Sequence, residues 1–259
     1  MLRRQVWDYQ PDIVVLVMTT NNDVTDNSRV FKNSDIPYFV YQGDKLVLDD
    51  SFLRSRTFRL RHSALDRFLN RVRDHLRVAQ AVDNAQIAIR TYMISRRAQN
   101  GSPQARQAQG ETPKKLQEVS IDNQIYREPD GAAWKEAWRV TEGLIALVRD
   151  EVKSKGAKFL VVTASNAIQV HPDPSTRQSF MRLLGVNDLF YPDRRVKALC
   201  DSSGIPVLNL APALQAYAEQ HQVFLHGSGS FLGDGHWNRL GHAVSGEMIA
   251  RKICEEMAQ

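Results

Sequence analysis

Lys153-Ser154-Lys155-Gly156-Ala157-Lys158-Phe159-Leu160-Val161-Val162-Thr163-Ala164-Ser165-Asn166 is the stretch on which the fold turns. Lys153 and Lys155 suit the negative end of a helix dipole, Gly156 suits the stop that follows, and Phe159 to Thr163 is a short apolar run with β-branched residues. Upstream, Trp134, Trp138, Thr141, Ile145, Val148 and Val152 fall on one helical stripe. Downstream, a second helix near Asp193 to Ser203 stops at Gly204, and Ile205-Pro206-Val207-Leu208-Asn209-Leu210 reads as another strand. A short helix from Pro212 to Gln220 comes next, and a final helix carries Ala243, Val244, Ala250, Ile253, Cys254 and Met257 inward. Helix, glycine, buried strand and helix again is the pattern of a parallel sheet covered on both faces. The expected fold is therefore doubly wound α/β.

Towards the front, Ile13-Val14-Val15-Leu16-Val17-Met18 reads as a strand buried on both faces. Leu2 to Trp7 reads as the last turns of a helix before it, so the chain is expected to begin inside a βα unit. The strand runs into Thr19-Thr20-Asn21-Asn22-Asp23-Val24-Thr25-Asp26-Asn27, at the carboxyl end where open α/β sheets place their sites. Asparagine amides there suit a developing oxyanion, and equally suit local turn and cap bonds. Tyr38 to Tyr41, a Gln42-Gly43-Asp44-Lys45 turn and Leu46 to Leu48 read as a β-hairpin. Helical spacing follows from about Arg61 to Arg97, and Asn100 to Lys115 reads as a flexible linker. The expectation is a single domain over residues 1–259, with residues 30–130 an insertion of hairpin, basic helices and linker.

The 259 residues carry a net charge of +5 with 42% hydrophobic content, enough for a sizeable core. The basicity is local, with eight arginines against two aspartates between Arg54 and Arg77. That stretch reads as a solvated helix face; a site for acidic groups or a membrane surface is the sharper alternative, and without interleaved aromatics it does not point to nucleic acid. Cys200 and Cys254 both sit on expected apolar helix faces, so buried thiols are expected rather than a disulfide or a cysteine zinc site. No secretory signal or spanning apolar run is present, and the sequence assigns no compartment and no oligomeric state.

Near the other end stands Phe231-Leu232-Gly233-Asp234-Gly235-His236-Trp237-Asn238. A histidine with a carboxylate two residues before it, on a loop opening a helix that Asn238 can cap, suits a general base oriented by an acid. With this block and the Asn22 block both in view, the chain resembles the SGNH (GDSL-type) hydrolase family. Thr20-Asn21-Asn22-Asp23-Val24 is similar to the family's Gly-x-Asn-Asp block, with Asn21 where many relatives have glycine. Asp234-Gly235-His236-Trp237-Asn238 is similar to its Asp-x-His block, about 210 residues later. The resemblance implies a three-layer α/β/α sandwich with a parallel, flavodoxin-like sheet, and an ester hydrolase working through an acyl-enzyme without metal or cofactor. His236 would be the base, Asp234 the orienting acid and Asn22 the oxyanion donor, with Asp23 and Asn238 in support.

The family's nucleophilic serine and its oxyanion glycine lie upstream of the Asn-Asp block, yet only eleven residues precede Asp12 and Gly-Asp-Ser occurs nowhere. The sheet is therefore expected to lack its first strands, the nucleophile stays unassigned, and this chain alone is expected to show little or no esterase activity. Ser28 and Ser165 are the serines that closely follow expected core strands. Ser165 is read as capping the turn after Thr163, and neither is promoted to nucleophile. The expected partner is a small-molecule or carbohydrate ester. The competing readings are a carbohydrate O-acyltransferase and a non-catalytic carbohydrate- or partner-binding module that keeps the fold without the nucleophile; many relatives are exported or membrane-anchored through an N-terminal segment.

Overall fold

In a computed structural model the protein is described over residues 2–20, 22–32, 34–64, 68 and 123–258. Its chain divides into two compact units, one of residues 1–34, 38–48 and 115–259 and the other of residues 35–37 and 49–114. The linker expected at 100–115, most of the basic stretch beyond residue 64 and most of the 61–97 helices lie outside the described residues.

The first unit is mixed α/β around a parallel three-stranded sheet. Leu2–Gln5 (α1) and a 3-10 turn, Val6–Tyr9, lead into β1, Ile13–Thr19. A one-turn helix follows, Asp23–Asp26 (α2), and then the hairpin strands Tyr38–Gln42 (β2) and Lys45–Asp49 (β3). The second half alternates as its spacing demands. Gly131–Ser154 (α4, the helix α3 being Arg56–Arg61 of the second unit) gives way to Lys158–Ala164 (β4), with Gly156 at φ +77° making the stop. Pro174–Leu184 (α5) and Tyr191–Ser202 (α6) precede Val207–Asn209 (β5), and Leu210–His221 (α7) and Arg239–Ala258 (α8) complete the unit.

Strand β1 pairs with β4 from Ile13↔Lys158 to Thr19↔Ala164, and β4 pairs with β5 from Val161↔Val207 to Thr163↔Asn209. Because side chains alternate across a strand, the two faces of the sheet bury two separate clusters. Val14, Leu16, Met18, Phe159 and Val161 join Trp134, Trp138, Ile145 and Val152 of α4, Phe180 of α5 and Val196 and Cys200 of α6. Ile13, Val15, Leu160 and Val162 join Leu210, Leu214 and Ala218 of α7 and Leu240, Val244, Met248 and Ile253 of α8. Every residue from Phe159 to Val170 is buried, so β4 and the turn beyond it form the most enclosed backbone of the described chain.

The structure corrects three sequence expectations. Val17 is 46% exposed, so β1 is not covered on both faces along its whole length. Cys254 is exposed whereas Cys200 is buried. Ala243, Ala250 and Met257 also face outward on α8, whose packed face is the one through Leu240, Val244, Met248, Ile249 and Ile253. The hairpin groups with the sheet-bearing unit. It lies on α4, where a Cβ on Gly143 would run into the Tyr41 hydroxyl, and the Arg139 guanidinium sits 3.8 Å over the Tyr41 ring and donates to the Gly43 carbonyl.

In the second unit, Ser51–Arg54 forms a 3-10 turn and Arg56–Arg61 (α3) follows, capped by the Ser55 hydroxyl accepting from Phe58 N. Phe58 packs edge-on against Phe52 and stacks on His62, and Arg61 pairs with Asp35 at 3.3 Å. No described helix is long and apolar enough to cross a membrane.

Candidate functional site

The carboxyl ends of β1 and β4 lie side by side, and the two polar blocks sit there. The Thr20 hydroxyl, fully buried, donates to the Ala164 carbonyl at 3.3 Å, which fastens the start of the Asn22 block to the end of β4. One residue on, the Ser165 hydroxyl accepts from the Trp237 indole at 2.9 Å, which fastens the Asp234–Asn238 block to the same strand end. Among the described residues no group of three or more His, Cys, Asp or Glu side chains converges to hold a metal ion. A cleft of about 570 Å³ lies elsewhere, against Lys158, Phe159, Ile205 and Pro206 at the amino ends of β4 and β5.

Within the first block the asparagine and aspartates are partly engaged locally. Asn22 Nδ2 donates to Asp26 Oδ2 at 2.9 Å, and its carbonyl accepts from the Thr25 hydroxyl. Asp23 Oδ2 accepts from Thr19 N at 2.7 Å, closing the turn after β1. Burial raises the Asp23 carboxyl above its usual value, and the bonds from Thr19 oppose that rise. Ser28 is buried, and its hydroxyl accepts from Val30 N, a turn-closing role.

The second block is a loop closed on itself. An antiparallel bridge joins His226 and Trp237. Within it Gly227 N donates to the His236 carbonyl at 2.8 Å and Gly233 N to the His226 carbonyl at 2.9 Å. Asn238 caps α8, its Oδ1 accepting from Gly241 N at 2.9 Å, and its Nδ2 donates back to the Phe224 carbonyl. The Asp234 carboxylate accepts from Gly235 N at 2.7 Å. The His236 ring is exposed and makes neither an ion pair with Asp234 nor a hydrogen bond to another described residue. The structure thus brings both blocks to one end of the sheet without joining the Asp234 and His236 side chains.

The histidine that does meet a serine is His226. Its Nε2 lies 3.0 Å from Ser165 Oγ and its Nδ1 2.7 Å from the Gly235 carbonyl. A carbonyl can only accept, so Nδ1 carries the proton and Nε2 accepts from the Ser165 hydroxyl. Burial pushes His226 down to about 4, which keeps the imidazole neutral. Sequence reasoning missed this pair. The only signal for Ser165 was its place at a strand's carboxyl end, and nothing in Leu225-His226-Gly227 marks its histidine.

No protein-family model, no curated protein and no solved structure matches the chain. The site is therefore read from its own chemistry. Beneath it lies a buried polar shelf. Asp193 accepts from the Thr163 hydroxyl and from Gln169 Nε2, both at 2.7 Å, while Asn166 N donates to Gln169 Oε1 and Asn166 Nδ2 to the Tyr126 hydroxyl. Burial pushes the Asp193 carboxyl up to about 6, with the Thr163 and Gln169 bonds opposing it.

Proposed function

We propose that this end of the sheet is an acyl-transfer site of the SGNH ester-hydrolase type, set in a three-layer α/β/α sandwich of flavodoxin-like strand order. His236 serves as general base, Asp234 steadies the imidazolium, Asn22 donates to the tetrahedral oxyanion, and Asp23 and Asn238 hold the two blocks in place. The observation that carries the reading is the double fastening at the end of β4, Thr20 to Ala164 and Trp237 to Ser165. It gathers two stretches far apart in sequence at one end of the sheet, as a shared substrate would require. No described serine is assigned as nucleophile, because the Ser28 and Ser165 hydroxyls are buried and engaged elsewhere.

A short-chain carboxylate, the product of such a reaction, tests the reading without needing the nucleophile. Titrated into the labelled protein and followed by NMR, it should shift the His236 ring and the Asn22 side-chain amide along one binding curve, and His236→Ala should abolish the Asn22 response. Separate curves, or no shift at either residue, would refute the shared site. One observation favours a second reading. The Asp234 carboxylate bonds to Gly235 N rather than to the His236 ring, an arrangement that suits a non-catalytic binding module. In that case carbohydrate or partner binding survives His236→Ala.

A further inference from the structure

We propose that Ser165 is a positioning residue, whose hydroxyl holds the backbone on both sides of His236 through two other side chains, His226 and Trp237. The inference rests on the acyl-transfer reading of the site, and it assigns work to a serine and a histidine that the reading leaves unused.

Ser165 leaves the end of β4 within a run of buried residues, so its Cβ is anchored in the most enclosed backbone of the described chain. Its proton goes to His226 Nε2, and an oxygen lone pair takes the Trp237 indole N–H. His226 passes the constraint on, donating Nδ1–H to the Gly235 carbonyl at 2.7 Å. Gly235 and Trp237 are the two neighbours of His236 in sequence. Both are therefore tied to one hydroxyl, Gly235 through the imidazole and Trp237 directly. The His236 carbonyl is fixed as well, by Gly227 N. His236 is thus held at its own carbonyl and at the residues on either side while its ring stays exposed, which is what placing a general base requires.

The same contacts argue against Ser165 as a nucleophile. Ser165 is 6% exposed, and its hydroxyl already holds two partners. The donors beside it are taken too, Asn166 N by Gln169 Oε1 and Asn166 Nδ2 by the Tyr126 hydroxyl. A Ser–His contact at 3.0 Å has the geometry of a catalytic pair. Here it works as a tie.

Amide hydrogen exchange on the full chain tests this. In Ser165→Ala the Gly227 and Gly233 amides and the Trp237 indole N–H should exchange roughly tenfold faster, the loss expected for one buried hydrogen-bonding group. The β4 amides of Leu160 to Val162 should be unchanged, and Ser165→Thr, which keeps a hydroxyl, should restore protection. Should Ser165→Ala fold poorly, Trp237→Phe removes only the indole tie and should speed exchange at the same two amides by a smaller factor. Unchanged loop protection, or an equal loss throughout β4, would overturn the proposal. So would labelling of Ser165 by a serine-directed fluorophosphonate, because a hydroxyl held between two partners is not available to attack. A carboxylate titration in Ser165→Ala separates the two readings. If the wild-type His236 ring never responds to carboxylate, the acyl-transfer reading fails while the exchange data still decide the tie. If wild type responds and Ser165→Ala responds as strongly, the tie does not position the base.

Discussion

Gly227 meets a constraint that no other residue type satisfies. Its φ is +71°, and a Cβ there would run into the Phe231 carbonyl and stand 2.7 Å from that of Asp234. Both neighbours are backbone, so neither can swing aside. Gly227→Ala should cost about 2 to 4 kcal/mol, read from urea denaturation, because strained φ and a backbone clash add. A loss under half a kcal/mol would show that the loop relaxes easily. At this scale the sequence was legible where chemistry is local. Asn238 was expected as the cap of the last helix and is one. The tie through Ser165 was not legible, since His226 lies 61 residues away and is brought to it only by the packing of a loop on a strand end.

Among the elements, α4 was readable from its clean helical period and β4 from its continuous apolar run. A stripe of Trp134, Trp138, Ile145 and Val152 over about five turns leaves one face to bury, and all four are buried. Trp138 is fully buried, edge-on to Tyr191 with ring centroids 6.4 Å apart and with the Arg195 guanidinium over it. Trp138→Ala should therefore cost about 3 to 5 kcal/mol in a denaturation experiment, close to the ceiling for a core truncation. Other elements were obscured for identifiable reasons. Helix α5 follows a proline that reads as a loop marker. Yet Asp173 caps it, accepting from Ser175 N at 2.8 Å, and Gly185 ends it at φ +66°. In α8, alanines and sulfur-containing residues lie all around the helix, so the apolar pattern suggests the wrong face. The parallel pairing of the strands followed from the alternation of helix and strand, while the exposure of Val17 depends on what stands over β1, which composition does not encode.

For the molecule as a whole, two buried groups pull stability in opposite directions with pH. Asp193 is held up to about 6, so the folded chain keeps a proton that the unfolded chain releases from 3.8 upward, and stability falls as pH rises across that window. His226 is held down to about 4, so the unfolded chain takes a proton below 6.5 that the folded chain refuses, and stability falls as pH drops. Each shift is worth about 3 kcal/mol, so they nearly cancel between pH 4 and 6. Asp193→Asn should remove one side of this balance. Its urea-derived stability should climb by about 2 to 3 kcal/mol from pH 4 to 6.5, where the wild type stays nearly level. A level profile in that variant would contradict the assignment. The other property of the whole molecule lies along β1. Among the described residues this strand pairs with β4 alone, and Val17 stands 46% open to water. Such a strand is a template for a foreign one, so concentrated solutions of this chain should associate edge to edge, into dimers or amorphous aggregate, before its interior begins to loosen.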